Sequence, residues 1–276
     1  MADELWSKEA FAGGYSSGTV VGPLQDGDPE TEVRLFEDKR IGGSLAGFFE
    51  AGVKPYLRPD FRVLEFGPGK GSWTRALFSE VNKGEIHTVD LQDIRPWVQD
   101  LINAFPERFF IHQVPLGESA YDFLEEGYFD FFFSFGVFCH MDLDALEKFL
   151  TRVKSKLKKE TVCVAEYSDW EKGLPYCISP EGQEYNREGF SLLEEQFPFE
   201  FDMLKCTSWA QKLKPLWKKY VLKGYPAPST SPERCFWVRN NRKTMKGILE
   251  RAGYEVLNID MDFFRRDPVA LFRPVL

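Results

Sequence analysis

The 276-residue sequence predicts an α/β fold: a doubly wound, mostly parallel sheet of seven strands, with an antiparallel terminal hairpin strand and helical lid insertions. Three observations support this prediction. Apolar segments of strand length alternate with helical patterns, a glycine-rich turn follows the first of them, and two strand-like segments lie close to the final residue. The length fits one α/β core that carries insertions.

The first strand, turn and helix lie within residues 63–74, which read VLEFGPGKGSWT. Three glycines alternate with other residues in this turn: Gly67, Gly69 and Gly71. Glycine allows a tight turn and lets a ligand lie against the backbone, and a helix that begins near Ser72 directs free N–H groups toward that ligand. The segment therefore predicts a site for a nucleotide-type ligand, with an ordinary strand-to-helix turn as the alternative.

The second strand, Glu85–Asp90, alternates in polarity and ends in a carboxylate. A carboxylate at this position of a βαβ unit can accept hydrogen bonds from ribose hydroxyls, so Asp90 is the candidate ribose ligand. The third strand is predicted over residues 108–114. The fourth, over 129–140, is apolar enough to be buried on both faces, as a parallel sheet requires.

The remaining elements complete the predicted sheet. Apolar residues at helical spacing over 143–157, with Asp142 as the cap, predict a helix, and the fifth strand follows at 161–167. A last helix over 242–253 precedes two strands that a polar turn at 265–268 would join as a hairpin.

In their order, these parts resemble the class I, Rossmann-like S-adenosylmethionine-dependent methyltransferases, over roughly residues 60–170 and 236–276. An acid, Glu65, followed by G-x-G-x-G is similar to motif I of that family. The dinucleotide fingerprint would need a glycine where Ser72 stands, which disfavours an NAD-dependent oxidoreductase.

The resemblance implies S-adenosyl-L-methionine as the cofactor. The residues it assigns to cofactor binding are Glu65, Gly67, Pro68, Gly69, Gly71, Asp90, Leu91, Val114, Pro115, Ser134, Phe135 and Gly136. By this resemblance the glycine turn contacts the carboxypropyl group, Asp90 contacts the ribose, and residues 134–136 line the methionine end. The adenine would be read by Glu118, or held by backbone with Val114 and Leu116.

Methyl transfer needs a positioned nucleophile and often a base. The candidate catalytic residues are His140, Glu166 and Asp169, which stand at the ends of the fourth and fifth strands. The expected acceptor is a small molecule methylated at oxygen, such as a sugar or secondary-metabolite hydroxyl. N-methylation of a small molecule or a nucleic-acid base is one alternative. A non-catalytic partner subunit that binds S-adenosylmethionine is another.

Composition restricts the partners. The net charge of −8 argues against nucleic acid. Five cysteines without C-x-x-C spacing predict reduced thiols and no metal site. No apolar run has membrane length and the first residues are acidic, so we expect a cytoplasmic protein without a membrane partner. The commonness of dimers leaves a homodimer open.

The predicted organisation has four parts: a lid or substrate segment at 1–58, a cofactor-binding core at 59–168, a helical insertion at 169–235 and the rest of the core sheet at 236–276. Within the insertion, residues 204–224 contain six lysines and no acid. This stretch either attracts an anionic substrate or, as we favour, forms a surface helix whose apolar face packs on the domain and whose lysines are solvated.

Overall fold

A seven-stranded sheet organises the protein in a computed structural model that describes residues 20–21, 29–114, 121–186, 198–223, 238 and 240–275. The strands are β1 Arg62–Phe66, β2 Glu85–Asp90, β3 Phe109–Gln113, β4 Phe129–Ser134, β5 Leu157–Glu166, β6 Tyr254–Asn258 and β7 Val269–Pro274. The helices in the described ranges are α1 Pro29–Ile41, α2 Leu45–Phe48, α3 Ser72–Glu80, α4 Gln99–Ala104, α5 Leu143–Val153, α6 Trp170–Cys177, α7 Pro180–Tyr185, α8 Pro198–Leu204, α9 Trp209–Tyr220 and α10 Arg242–Arg251.

The strand order is β3-β2-β1-β4-β5-β7-β6. The first five strands pair in parallel, and β7 runs antiparallel to both β5 and β6. This arrangement confirms the predicted fold class, including the antiparallel strand inserted into a parallel sheet.

Strand register brings the carboxyl ends of the central strands to one level. Phe66 of β1 is opposite Val89 of β2 and Ser134 of β4, and Ser134 is in turn opposite Ala165 of β5. The residues that follow these four positions therefore emerge along the same edge of the sheet, which is where open α/β sheets bind ligands.

The sheet is covered on both faces. On one face, Leu64 and Phe132 pack in a cluster with residues of α5 and α10. On the other, Val63 and Phe133 pack with residues of α2 and α3. Burial on both sides explains why β4 is a nearly continuous apolar run instead of an alternating one.

Two element boundaries differ from those predicted. The fourth strand ends at Ser134, six residues early, because Gly136 takes a positive φ of 73° and the chain turns into a short 3-10 helix, Phe138–His140. The last two strands pair as predicted, but residues 259–268 connect them, and Arg266 and Asp267 in this connection are buried.

The predicted packing of the lysine-rich helix is wrong. Helix α9 forms, but its apolar side chains point to solvent: Trp209, Leu213, Trp217 and Tyr220 are 78%, 59%, 55% and 69% exposed. The side of α9 that meets the protein carries the buried Pro215. There the Lys219 ammonium lies 3.7 Å from the centre of the Phe199 ring of α8.

None of the helices in these described ranges has both the length and the apolar character needed to cross a bilayer.

The Asp142 cap of α5 gives a stability test. Its Oδ1 accepts hydrogen bonds from the N–H groups of Asp144 and Ala145 at 2.9 and 3.3 Å. Asp142→Ala should lower the free energy of unfolding by about 1 kcal/mol, because two N–H groups of the first turn lose their acceptor. Asp144→Ala is the control, an exposed acid in the same turn, and should cost at most about 0.5 kcal/mol. Equal losses in urea unfolding would show that the cap contributes nothing beyond charge.

Candidate functional site

The glycine turn after β1 has a backbone that requires glycine. Gly67, Gly69 and Gly71 have positive φ angles of 73°, 55° and 84°. A Cβ atom on Gly67 would lie 2.1 Å from Cγ2 of Val137, so a larger residue has no room there. The Gly67 N–H donates to the carbonyl of Val89 on β2 at 2.9 Å, which holds the turn against the end of the neighbouring strand.

Glu65 lies beneath this turn and is 1% exposed. Its Oε2 accepts a 2.6 Å hydrogen bond from the hydroxyl of Thr74 on α3, so the acid links the strand to the helix across the turn. Burial raises the pKa of Glu65 to about 8; the Thr74 hydroxyl acts in the opposite direction and the nearby charge of Asp90 adds to the rise.

Asp90 ends β2 beside the turn and is also buried. Its Oδ1 accepts a 2.9 Å hydrogen bond from the Gln92 N–H. Burial raises the pKa of Asp90, and the backbone N–H groups of Gln92, Gly69 and Leu91 partly offset that effect. The carboxylate thus lies next to the glycine turn, as the sequence predicts.

Ser72 begins α3 and contributes a buried hydroxyl to the same place. Within the described residues its Oγ has no hydrogen-bond partner, and the first N–H groups of α3 have no intrahelical acceptor. Together with the glycine backbone and Asp90, these groups fit S-adenosylmethionine: donors for a carboxylate at one end and an acceptor for a ribose diol at the other.

The predicted cofactor residues after β4 have different environments. The Ser134 hydroxyl donates to the Phe66 carbonyl at 3.1 Å, and the ring centre of Phe135 lies 4.7 Å from that of Trp73 in the core. Both side chains therefore stabilise the strand ends. At the adenine end, Leu91 is half-buried and Val114 is buried; Pro115, Leu116 and Glu118 lie outside the described residues.

Glu166 ends β5 and is 1% exposed. Its Oε2 accepts a 2.8 Å hydrogen bond from the Gly136 N–H, whereas its Oε1 has no hydrogen-bond partner among the described residues. Burial raises the pKa of Glu166 to about 8, and the charge of Asp267 adds to the rise. The Gly136 N–H, the charge of Arg266 and the neighbouring Cys139 thiol, a weak donor, act in the opposite direction. A buried carboxylate oxygen that lacks a donor is ready to accept a hydrogen bond or a proton from a ligand.

The other two candidate catalytic residues lie on either side of Glu166 in sequence. His140 is half-buried in the 3-10 turn after β4. Asp169 uses both oxygens within the fold: Oδ1 accepts hydrogen bonds from the N–H groups of Glu171 and Lys172 and so caps α6, and Oδ2 accepts one from Arg242 Nε at 3.1 Å.

A buried ionic group near Glu166 was missed by sequence reasoning. Arg266 Nε donates to Asp267 Oδ2 at 2.7 Å and its Nη1 donates to Asn186 Oδ1 at 2.8 Å. In the described part of the chain, Asp267 Oδ1 and Glu37 Oε2 have no hydrogen-bond partner although both residues are buried. No pattern in the sequence points to this group, because residues 265–268 have the composition of an exposed turn.

Arg75 of α3 was also missed, and it fixes the glycine turn. Its guanidinium donates to the Lys70 carbonyl within the turn at 2.8 Å, to the Trp97 carbonyl at 3.1 Å and to the Asp100 carboxylate at 2.6 Å. An arginine directly after Thr74, at the start of a helix that follows a ligand-binding turn, is a pattern that could have been noticed.

Comparisons with known proteins agree with this geometry. A family model described as a methyltransferase domain matches residues 36–259, which is more than half of the chain. No curated protein matches the sequence significantly.

Solved structures share the fold at low identity. A SAM-dependent methyltransferase from Aquifex aeolicus is 15% identical, with a TM-score of 0.50, and the match covers 90% of this chain and 99% of that one. The PH0226 protein from Pyrococcus horikoshii is 12% identical, with a TM-score of 0.52 and coverage of 91% and 95%. PKMT2 from Rickettsia typhi, solved in complex with AdoHcy, is 13% identical, with a TM-score of 0.51 and coverage of 87% and 52%.

The family match, the seven-stranded topology and a turn that fits S-adenosylmethionine agree with one another. The chain belongs to the methyltransferase-domain family and is a Rossmann-like, class I S-adenosylmethionine-dependent methyltransferase.

Proposed function

We propose that this methyltransferase transfers its methyl group to a hydroxyl oxygen of a small molecule, with Glu166 as the base. The observation that carries this proposal is the buried Glu166 Oε1, which lacks a donor within the described residues, while Oε2 is held by the Gly136 N–H at the end of β4. A hydroxyl group supplies both the hydrogen bond that this oxygen lacks and the proton that a base removes.

S-adenosylmethionine, held by the glycine turn, Ser72 and Asp90, would supply an electrophilic methyl group to the acceptor oxygen and would leave as the thioether S-adenosylhomocysteine. Glu166 Oε1 would accept the proton that this oxygen gives up. The protein must therefore position the hydroxyl in line with the methyl carbon, exclude water and hold the base in its ionised form.

Glu37 and Asp267 each carry an oxygen without a hydrogen-bond partner in the described ranges, which also supports a hydroxyl-bearing acceptor. Both residues are no more than 3% exposed, and buried acceptors without donors are costly. An acceptor with several hydroxyl groups, such as a sugar, would satisfy them. The lysine-rich segment suggests an anionic acceptor, and this stays a prediction. A homodimer also stays a prediction.

For the cofactor, we propose that the glycine turn and Ser72 hold the carboxypropyl group, that Asp90 accepts hydrogen bonds from the ribose, and that Leu91, Val114 and Pro115 contact the adenine. Gly136 would border the methionine end, while Ser134 and Phe135 fix its position through the bonds and packing described above. Glu65 would act through Thr74 by holding the turn.

The two segments outside the core, residues 1–58 and 169–235, would complete the acceptor site as a lid. Helix α1 brings Glu37 close to Arg266. Burial raises the pKa of Glu37, and the charge of Arg266 acts in the opposite direction with a smaller effect.

For Asp169, capping of α6 and the bond to Arg242 favour a structural role over catalysis. His140 remains the second candidate base.

Asp90→Asn tests the cofactor assignment. The substitution removes the charge that accepts the ribose hydrogen bonds, so the Kd for S-adenosylhomocysteine should rise about 10- to 100-fold in calorimetric titration. Asp93→Asn is the control, because Asp93 is exposed on the same loop and pairs only with Arg95 among the contacts of the described residues. Unchanged affinity of Asp90→Asn with unchanged thermal stability would refute the assignment.

Glu166→Gln tests the base. An acceptor is first identified by the release of S-adenosylhomocysteine with a panel of phenols and sugars. The parent enzyme's turnover of this acceptor should rise with pH through about 8, because only the ionised carboxylate of Glu166 accepts a proton. The variant should lose on the order of 10²- to 10⁴-fold in kcat, together with this pH dependence.

Glu160→Gln on the same strand is the matched control, since Glu160 is exposed, and it should leave the profile unchanged. If His140→Gln removes the pH dependence and Glu166→Gln does not, the base is His140. If the enzyme methylates amines and no hydroxyl compound, it is an N-methyltransferase and the proposal of O-methylation is wrong. Binding of S-adenosylhomocysteine without turnover of any acceptor would favour a non-catalytic partner subunit.

A further inference from the structure

Helix α9 presents an apolar stripe to solvent, which we define as Trp209, Leu213, Trp217 and Tyr220. These positions recur every three or four residues, so they share one face of the helix. Each is more than half exposed, and Val221 and Leu222 directly after the helix are exposed as well. An exposed apolar patch of this kind marks an interaction surface.

Lysines border the stripe on both sides. At 3.6 residues per turn, Lys212 and Lys214 lie on opposite flanks of it, and Lys205 and Lys223 are exposed beyond its two ends. Residues 204–224 contain no acid, although the whole chain carries a net charge of −8. The segment that carries the stripe is therefore cationic within an otherwise acidic chain.

The fold directs this stripe outward. Contacts of α9 with α8 are made by the opposite side of the helix, where Pro215 is buried and Lys219 lies over the Phe199 ring. Lys218 Nζ is 4.0 Å from Asp202 Oδ2 on the same side. Turning the stripe toward α8 would break these contacts, so no element among the described residues covers it.

We propose that the α9 stripe docks on an anionic membrane surface. The helix would lie parallel to the bilayer, with Trp209 and Trp217 at the level of the headgroups and the bordering lysines against anionic lipid phosphates. Tryptophan and tyrosine favour this interfacial depth, and a helix that combines an aromatic face with lysines binds anionic bilayers. Docking of this kind occurs at the membrane surface and needs no bilayer-spanning segment, so it departs from the expectation of no membrane partner.

Charge complementarity favours a lipid surface over a second copy of the chain. In a symmetric dimer through this face, the same patch meets itself, so the lysines of both copies would face one another without an acid between them. An anionic bilayer instead neutralises these lysines and accepts the aromatic side chains at the same time.

Vesicle sedimentation of the full chain tests the proposal. The protein should partition onto phosphatidylcholine vesicles that contain phosphatidylglycerol at least about 10-fold better than onto vesicles of phosphatidylcholine alone. Trp209→Ser with Trp217→Ser should reduce this partitioning about 10-fold, and its control is Phe123→Ser, an exposed aromatic outside the stripe. Lys214→Glu with Lys223→Glu should remove the preference for anionic lipid, whereas Lys243→Glu, an exposed lysine on α10, should retain it.

All of these substitutions are at exposed positions. Thermal unfolding verifies that each variant is folded, including Phe123→Ser, whose parent ring lies 4.8 Å from that of His112. Equal partitioning onto both vesicle types, no partitioning onto either, or full partitioning of the double tryptophan variant would overturn the proposal. A dimer in light scattering that the double tryptophan variant abolishes, without vesicle binding, would identify a second copy as the partner and would also overturn it.

Discussion

Alignment of β1, β2, β4 and β5 at the level of Phe66, Val89, Ser134 and Ala165 is the constraint on which the site depends. Parallel pairing in this register makes the strands end together, so the glycine turn, Asp90 and Glu166 emerge along one edge of the sheet. A register shift of one residue in any of these strands would turn its side chains to the opposite face and separate the groups. The backbone pairing of these strands is therefore needed to bring the side chains of the site together.

Glu65 and Glu166 are equally buried, at 1% exposure each, but the hydrogen-bond donors around them differ. Burial raises the pKa of both Glu65 and Glu166 to about 8. Glu65 bonds the Thr74 hydroxyl and links β1 to α3, which suits a role in holding the turn. Glu166 accepts a hydrogen bond from one backbone N–H and lies beside the weakly donating Cys139 thiol, and its Oε1 has no hydrogen-bond partner among the described residues. Because burial affects the two acids similarly, the hydrogen-bond donors around each carboxyl group decide what that acid can do.

Local patterns in the sequence predicted the sheet, the glycine turn and the position of Asp90, because strand periodicity and glycine spacing are local properties. They did not predict the burial of Arg266, whose partner Asn186 is distant in sequence and whose neighbours resemble an exposed turn. For α9 the pattern identified the apolar face correctly. It did not reveal that the face points to solvent, because orientation depends on contacts of Pro215 and Lys219 with the rest of the fold. The catalytic assignments stay predictions.

Strand β7 follows β6 in the chain but lies between β6 and β5 in the sheet. During folding, β5 therefore keeps an unpaired edge until a segment separated from it by the whole helical insertion arrives. Closing such a long loop is slow, and an open strand edge with apolar neighbours is a template for pairing with other chains. Newly made protein is thus most vulnerable to aggregation in the interval before β7 joins. Changes in residues 259–268, which deliver β7 to its place, would lower the yield of folded protein even where they leave the finished structure intact.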